Sequence, residues 1–137
     1  MRKLLFVLLI SSVTFGSNVF GQVNYSDDKI EVTSQIKKFE DKVNDIFYSY
    51  YQFKIENKSN ETIEVALDFI YHDGNSERNK SQGDANLVFT LAPNETIEGD
   101  INGLKALTLF KEFNTGNSGK KASEVTNELN EITVKYF

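Results

Sequence analysis

Hydrophobic and polar residues alternate along most of the chain after residue 28. In residues 47–56 the apolar side chains share one parity; they are Phe47, Tyr51, Phe53 and Ile55. Such period-two alternation, rich in aromatic residues, is typical of a β-strand with one buried face. The same pattern recurs along the chain and predicts seven strands. They span residues 29–37, 47–56, 62–71, 86–91, 95–101, 105–113 and 130–137.

Two further strands show which residues should share a face. Ile30, Val32 and Ile36 have one parity in the first predicted strand. In residues 105–113, Leu107, Leu109 and Phe113 share one parity, and Phe110 has the other. If each strand alternates without interruption, the three residues of one parity in each strand are buried on its core side.

Two connections fit more than one interpretation. The spacing of apolar residues in 39–46 fits a helix, whereas Asn44 and Asp45 favour a turn. A short helical turn and a loop that crosses over the strands both satisfy this pattern. Residues 57–60 (Asn-Lys-Ser-Asn) predict a tight connection, so the strands on either side form a hairpin or an adjacent-strand corner. Residues 72–86 predict a long surface loop with room for a short edge strand.

The number and length of the predicted strands point to one fold class. None is followed by a long amphipathic helix, so a parallel α/β sheet is not expected. Seven short strands within about 110 residues fit an all-β fold, namely an immunoglobulin-like Greek-key β-sandwich. The Cys pair and the buried Trp of antibody domains are absent, so this likeness is one of architecture. A small up-and-down barrel is the alternative.

Tyr48 and Tyr50 are the candidate binding residues. Their parity opposes the apolar parity of the same strand, so a buried odd face would point both rings outward. Exposed Tyr side chains are favoured at binding surfaces because they combine an apolar ring with a polar tip. They would contact a glycan or a protein partner. Alternatively, residues 39–46 cover them, or they lie near the sheet edge among long side chains.

The first twenty-one residues have the pattern of a secretory signal peptide. Two basic residues precede a uniformly apolar run, LLFVLLI, and small polar residues follow. This pattern predicts cleavage between Gly21 and Gln22. An N-terminal membrane anchor is disfavoured, because the apolar run is far shorter than the roughly 20 residues of a spanning helix. The chain is thus divided into a signal peptide, residues 1–21, and a single β-sandwich domain, residues 22–137.

The charge balance argues against two kinds of partner. The chain has 15 Lys and Arg against 20 Asp and Glu, a formal charge of −5. Removal of residues 1–21, which hold two basic and no acidic residues, leaves 13 basic residues and a charge of −7. An acidic chain without a basic cluster repels phosphate backbones and anionic lipid surfaces, so no nucleic-acid partner is expected. No segment after the predicted signal peptide is apolar enough to span a bilayer.

Few residues offer catalytic or metal-binding chemistry. The chain has no Cys and a single His, His72, which excludes disulfides, thiolate chemistry and multi-His metal sites. His72 is beside Asp73 at a strand end, but no G-x-S-x-G motif presents a nucleophile. We therefore expect no enzymatic activity, no catalytic residue, no cofactor and no bound metal. An exported Cys-free chain fits the periplasm or the extracellular space of a Gram-negative bacterium.

Two short motifs resemble those of small bacterial exported immunoglobulin-like domains. Residues 52–59 (QFKIENKS) contain the strand end I-x-N-x-S, and residues 91–96 (LAPNET) contain the turn L-x-P-x-E-T. The resemblance covers most of residues 45–113 and rests on turn chemistry. It implies a fold, and a fold hosts many functions.

The hypothesis from the sequence is an exported, non-enzymatic β-sandwich that acts through its surface as an interaction, adhesion or accessory module. Its partner would be an unknown protein or glycan at the cell envelope. The first alternative is a small carbohydrate-binding module that uses Tyr48 and Tyr50. A small hydrolase is the last alternative, disfavoured by the single His and the missing nucleophile motif.

Overall fold

The computed structural model describes residues 21–74, 76–79, 87–115, 120–121 and 126–137, so the predicted signal peptide lies outside them except for Gly21. Within these residues the chain is all-β, as predicted, with ten strands in two sheets, which agrees with a β-sandwich. A 3-10 turn, Lys105–Leu107, precedes the eighth strand. In chain order the strands are β1 (Gln22–Ser26), β2 (Ile30–Asp41), β3 (Ile46–Asn57), β4 (Ile63–Asp73), β5 (Ser76–Asn79), β6 (Val88–Leu91), β7 (Thr96–Glu98), β8 (Thr108–Thr115), β9 (Lys120–Lys121) and β10 (Asn127–Tyr136).

The first sheet has six strands and is built around β3. β2 pairs with β3 along its whole length, and β1 and β9 extend the sheet at its two sides. The other edge of β3 is shared, because β8 pairs with residues 48–52 and β7 pairs with residues 54–56. The connection between β7 and β8, residues 99–107, therefore lies beside the middle of β3 and is not part of the β3 ladder.

The second sheet has four strands and is built around β4. β10 pairs with one edge of β4. β6 pairs with residues 63–66 and β5 with residues 70–73 along the other edge. The consecutive strands β3 and β4 thus lie in different sheets. Residues 57–60 consequently form a corner between the sheets and not a hairpin.

The core lies between the inner faces of β3 and β4. Phe53 and Phe69 stack there with ring centroids 4.3 Å apart, and both side chains are fully buried. The predicted buried parity of β3 is confirmed, since all four of its odd apolar residues are at most 8% exposed. Removal of this continuous apolar surface from water is the main force that holds the two sheets together.

The structure corrects the prediction for residues 39–46. β2 continues to Asp41, a four-residue turn follows, and β3 begins at Ile46. Asp41 accepts hydrogen bonds from the backbone amides of Val43 and Asn44 at 3.1 and 3.2 Å. The Asp41 side chain therefore closes a tight hairpin here, in place of the predicted helical turn or crossing loop.

Seven predicted strands are too few, because β1, β5 and β9 are also present. β5 carries only polar residues, which alternation does not reveal, and it lies within the predicted surface loop at the place left for a short edge strand. In β2, Ile30 and Val32 are fully buried as predicted, but Ile36 is 56% exposed. The reason is that β1 pairs with β2 only as far as Ser34, which leaves Ile36 at a free edge of the described sheet.

The two motifs behind the resemblance meet at one corner of the fold. Asn57 is fully buried, and its side-chain amide donates hydrogen bonds to the carbonyl oxygens of Glu61 and Ala92 at 2.8 and 2.9 Å. Its side-chain oxygen accepts a hydrogen bond from the backbone amide of Ser59, and its backbone amide donates to the Glu95 carbonyl. Both motifs therefore join the β3–β4 corner to the β6–β7 turn.

Candidate functional site

Five aromatic side chains form a cluster on the outer face of the first sheet. This outer aromatic cluster consists of Phe39 of β2, Tyr48 and Tyr50 of β3, and Phe110 and Phe113 of β8. The Tyr48 ring is central: it stacks on Phe39 with centroids 4.8 Å apart and lies 5.7–6.4 Å from the other three rings. The outer face of an antiparallel sheet normally carries polar residues, so this surface calls for a separate explanation.

A β-bulge in β8 places both phenylalanines on this face. Tyr50 pairs with Phe110, and Tyr48 pairs with Phe113, so β8 has one more residue than β3 between the two pairs. The register shift lies between Ser49 and Tyr50 of β3. The extra residue allows two residues at an odd spacing to face the same side of the sheet.

The bulge overturns the prediction that Phe113 shares a face with Leu107 and Leu109. The two leucines are buried, whereas Phe113 is 51% exposed. A one-residue bulge reverses the parity of every residue that follows it. Lys111 is the extra residue of the bulge, and its ammonium group is 3.2 Å from the Glu128 carboxylate of β10 in the second sheet.

The two predicted binding residues differ in their accessibility. Tyr50 is only 7% exposed, so the expectation of an exposed ring is wrong for it, and Tyr48 is half-buried. Part of the cover comes from residues 39–46, as the alternative interpretation expects, because Phe39 stacks on Tyr48. Phe110 and Phe113 are 37% and 51% exposed and provide most of the accessible aromatic surface.

A shallow depression opens beside the cluster. It has a volume of about 250 Å³. The β3 and β8 side chains form its floor, and the 99–107 connection forms one wall. We call it the Tyr50 depression. Its lining residues are Tyr48, Tyr50, Ile101, Lys105, Thr108 and Phe110.

Two glutamines fix that wall to the sheet. The Gln52 side chain is 6% exposed and donates a hydrogen bond to the Gly99 carbonyl at 2.6 Å. Gln35 of β2 donates a hydrogen bond to the Gln52 side-chain oxygen at 2.8 Å. Gly99 packs so closely against Leu107 that a Cβ atom would clash with the Leu107 carbonyl group. The wall of the depression is therefore held by specific contacts with β3.

The charges around the Tyr50 depression are mixed. Lys105 lines it, and Lys37 lies opposite Tyr50 in the β2–β3 ladder, on the same face. Both lysines are exposed, and neither has an ion-pair partner among the described residues. Burial, with smaller contributions from Tyr48 and Asp100, raises the pKa of the Tyr50 hydroxyl group. This hydroxyl group is therefore a neutral hydrogen-bond donor at ordinary pH.

A polar cluster joins the two sheets at the β1–β2 turn. Asp27 accepts hydrogen bonds from the hydroxyl groups of Tyr25 and Tyr136 and from the backbone amides of Lys29 and Ile30. Burial opposes ionisation of Asp27, but the four hydrogen bonds together outweigh it and lower the pKa of Asp27 to about 2. Both carboxylate oxygens already have partners, so this cluster is structural.

The single histidine lies in the other sheet. The His72 side chain is 43% exposed, and its Nε2 atom is 3.9 Å from the Glu77 carboxylate of β5. In the part of the chain that the structure describes, no group of three or more His, Cys, Asp or Glu side chains is placed to hold a metal ion. No helix in the same residues is long and apolar enough to cross a membrane.

Sequence reasoning identifies two of the five residues of the outer aromatic cluster. Phe110 is also visible as an outward residue, since its parity opposes that of the neighbouring leucines. Phe39 joins the cluster only because β2 extends beyond the predicted strand. Phe113 joins it only because of the bulge, and alternation alone gives the opposite answer.

Comparisons with known proteins do not assign the chain to a family. No protein-family model matches it, and neither a curated protein nor a solved structure shows a significant match. The resemblance to exported immunoglobulin-like domains therefore stays a prediction. The function has to be argued from the surface of this chain.

Proposed function

We propose that the protein is an exported, non-enzymatic interaction module of the cell envelope that binds its partner through the outer aromatic cluster. The observation that carries this proposal is the accessible aromatic surface of Phe110 and Phe113, whose ring centroids lie 4.8 Å apart. Contiguous apolar patches on a protein surface mark interaction sites. Aromatic side chains are also enriched at the centres of protein interfaces.

Export is supported by the signal-peptide pattern and by the position of the first strand. β1 begins at Gln22, so cleavage before this residue would leave every described strand intact. A chain without Cys also needs no disulfide chemistry in an oxidising compartment. The proposed location is the periplasm or the extracellular space of a Gram-negative bacterium.

An immunoglobulin-like Greek-key topology is part of the proposal. β2, β3 and β8 neighbour one another in one sheet, in the order of strands A, B and E of that fold. β4 and β10 pair in the other sheet, as strands C and F do. The strand order supports the topology, but it does not select a function, because the fold hosts many.

A small carbohydrate-binding module is the second candidate function. The Tyr50 depression favours it, because aromatic rings lie next to hydroxyl and ammonium groups in a small space. Such a combination suits a ligand with an apolar face and a polar edge. We find no comparable observation in favour of a hydrolase.

Retention on an envelope fraction tests the proposed function. Purified protein is mixed with washed envelope from its own cells and sedimented. We expect the wild-type protein to be retained and the double variant F110S/F113S to lose about tenfold in retention, since aromatic contacts dominate interface energies. Thermal melting of the variant checks that it is folded.

Val88→Ser is the matched control for this experiment. Val88 is 44% exposed and lies on β6 of the second sheet, so the variant replaces an exposed apolar side chain by Ser outside the outer aromatic cluster. It should be retained like the wild-type protein. Equal retention of F110S/F113S and the wild type would contradict the proposal.

A further inference from the structure

We propose that the Tyr50 depression binds one acidic pyranose residue of an envelope glycan, with Lys105 and Lys37 pairing with the sugar carboxylate. This inference rests on the proposed function, because it names a ligand for the same outer surface. It goes further in its chemistry, since it specifies the size, the polar edge and the charge of the bound group.

The size of the depression fits a single ring. Its volume of about 250 Å³ lies below the roughly 300–1,000 Å³ of sites for drug-sized ligands. The depression is part of an open sheet face, next to the exposed rings of Phe110 and Phe113. One residue of a glycan chain can therefore enter it while the neighbouring residues run over the surface.

The Tyr50 hydroxyl group opens onto the depression without a protein partner. The residue as a whole is 7% exposed, but its hydroxyl oxygen is not among the buried side-chain atoms and forms no hydrogen bond with any residue that the structure describes. A hydroxyl group of a bound sugar can therefore reach this donor.

The lining also matches the apolar side of a pyranose. One face of such a ring is made of C–H groups, which pack well on aromatic side chains. Phe110 and Tyr48 line the depression and carry accessible ring surface. Thr108, opposite Gln52 in the β3–β8 ladder, adds a second hydroxyl group to the lining. Apolar and polar groups are thus arranged as a sugar requires.

Charge complementarity selects an acidic sugar. The chain has a formal charge of −5, yet Lys105 is the charged residue that lines the depression. Lys37 lies opposite Tyr50 in the β2–β3 ladder, on the same face, and neither lysine has an ion-pair partner among the described residues. Asp100 is the acidic group near Tyr50, and its Oδ1 atom accepts a hydrogen bond from the Asn102 backbone amide at 2.7 Å.

Titration calorimetry with trigalacturonate and with its methyl ester tests the charge contact. The two ligands share their rings and differ in the carboxylate charge. We expect the wild-type protein to bind the acid about tenfold more tightly than the ester at low salt, as a charge-assisted hydrogen bond would give. Added salt should reduce this difference.

Three variants of the protein separate the contacts. Lys105→Ala should abolish most of the preference for the acid over the ester. Lys135→Ala is the matched control, because it removes an exposed lysine from β10 in the other sheet. Tyr50→Phe removes only the hydroxyl group and should weaken binding of both ligands by about three- to tenfold.

Two outcomes would overturn the acidic-sugar inference. The first is equal affinity for acid and ester, or an equal effect of Lys105→Ala and Lys135→Ala. The second is a lack of binding to trimers of galacturonate, glucuronate and mannuronate alike. If envelope retention still depends on Phe110 and Phe113 in that second case, the proposed function stands and only its ligand is different. If retention fails as well, both are wrong.

Discussion

β3 contributes aromatic residues to two clusters on opposite faces of one sheet. On the inner face, Tyr51 lies beside Phe53, which stacks on Phe69 of the second sheet. On the outer face, Tyr48 and Tyr50 lie against β8 side chains of their own sheet, and no described strand covers them. The inner cluster therefore joins two sheets, whereas the outer one does not. The outer aromatic cluster does not hold a second sheet in place, so its aromatic residues are better explained by binding than by folding.

The outer aromatic cluster is graded from its floor to its rim. Exposure rises from 7% at Tyr50 to 37% at Phe110 and 51% at Phe113. A ring at the floor contributes to folding because it is removed from water, while a ring at the rim contributes little. Removal of a ring should therefore lower the free energy of unfolding most in the inner cluster, less at Tyr50 and least at Phe113.

The largest effect is expected at the centre of the inner cluster. Phe53→Ala removes a fully buried ring that stacks on Phe69. We expect the free energy of unfolding to fall by about 3–5 kcal/mol, since the variant loses apolar contact and leaves a cavity. Urea unfolding followed by circular dichroism measures it. A smaller loss for Phe53→Ala than for Tyr50→Ala would show that the inner cluster is not the main source of stability.

An intermediate effect is expected for Tyr50→Ala at the floor of the outer cluster. The ring is almost as buried as the core rings but lines the open Tyr50 depression. We expect a loss of about 2 kcal/mol in unfolding free energy. Tyr50→Phe keeps the ring and serves as the control, with a change below about 0.5 kcal/mol.

Acid should weaken the polar contact between the two sheets that Asp27 makes with Tyr136. The folded-state pKa of Asp27, about 2, lies below its ordinary value of 3.8. The stabilisation is therefore present above about pH 5 and is lost as the pH falls towards 2. Discounted for partial solvent exposure, it amounts to about 1–2 kcal/mol. Unfolding free energies measured from pH 6 to pH 2 should show this slope.

Asp27→Asn should flatten that part of the pH profile, because the group no longer titrates. Asp28→Asn, at the exposed neighbouring position, is the control and should keep the slope. A slope that survives in Asp27→Asn would show that another group causes the acid sensitivity.

The smallest effect on stability is expected at the rim. Phe113→Ser removes a ring that is 51% exposed and meets Tyr48 edge-on. We expect the unfolding free energy to change by less than about 1 kcal/mol, while envelope retention falls clearly. The two measurements together distinguish a binding residue from a core residue. A large loss of stability with unchanged retention would assign Phe113 to the fold.

Alternation was sufficient to predict the all-β class and the buried face of β3. Residues such as Phe53 and Ile55 are buried on the predicted side because a long, regular strand keeps its parity. The short edge strands were not predictable in this way. β5 has no apolar residue, and its position depends on pairing with β4.

The candidate site was predictable only in part, for two physical reasons. Tyr48 and Tyr50 were found because they break the polar pattern of an outer face. The wall of the depression was not, since the Gln52–Gly99 hydrogen bond joins residues 47 positions apart. Alternation predicts the wrong face for Phe113, because a bulge is set by cross-strand pairing, which a single sequence does not display.

The same bulge has a consequence for changes in chain length. In a regular strand, deletion of one residue turns every later side chain to the wrong face. In β8, deletion of Lys111 would instead remove the extra residue and leave Phe110 and Phe113 facing outward in unbroken alternation with Glu112. Deletion of the Lys111 codon would thus preserve the outer surface of β8. It would remove the Lys111–Glu128 ion pair.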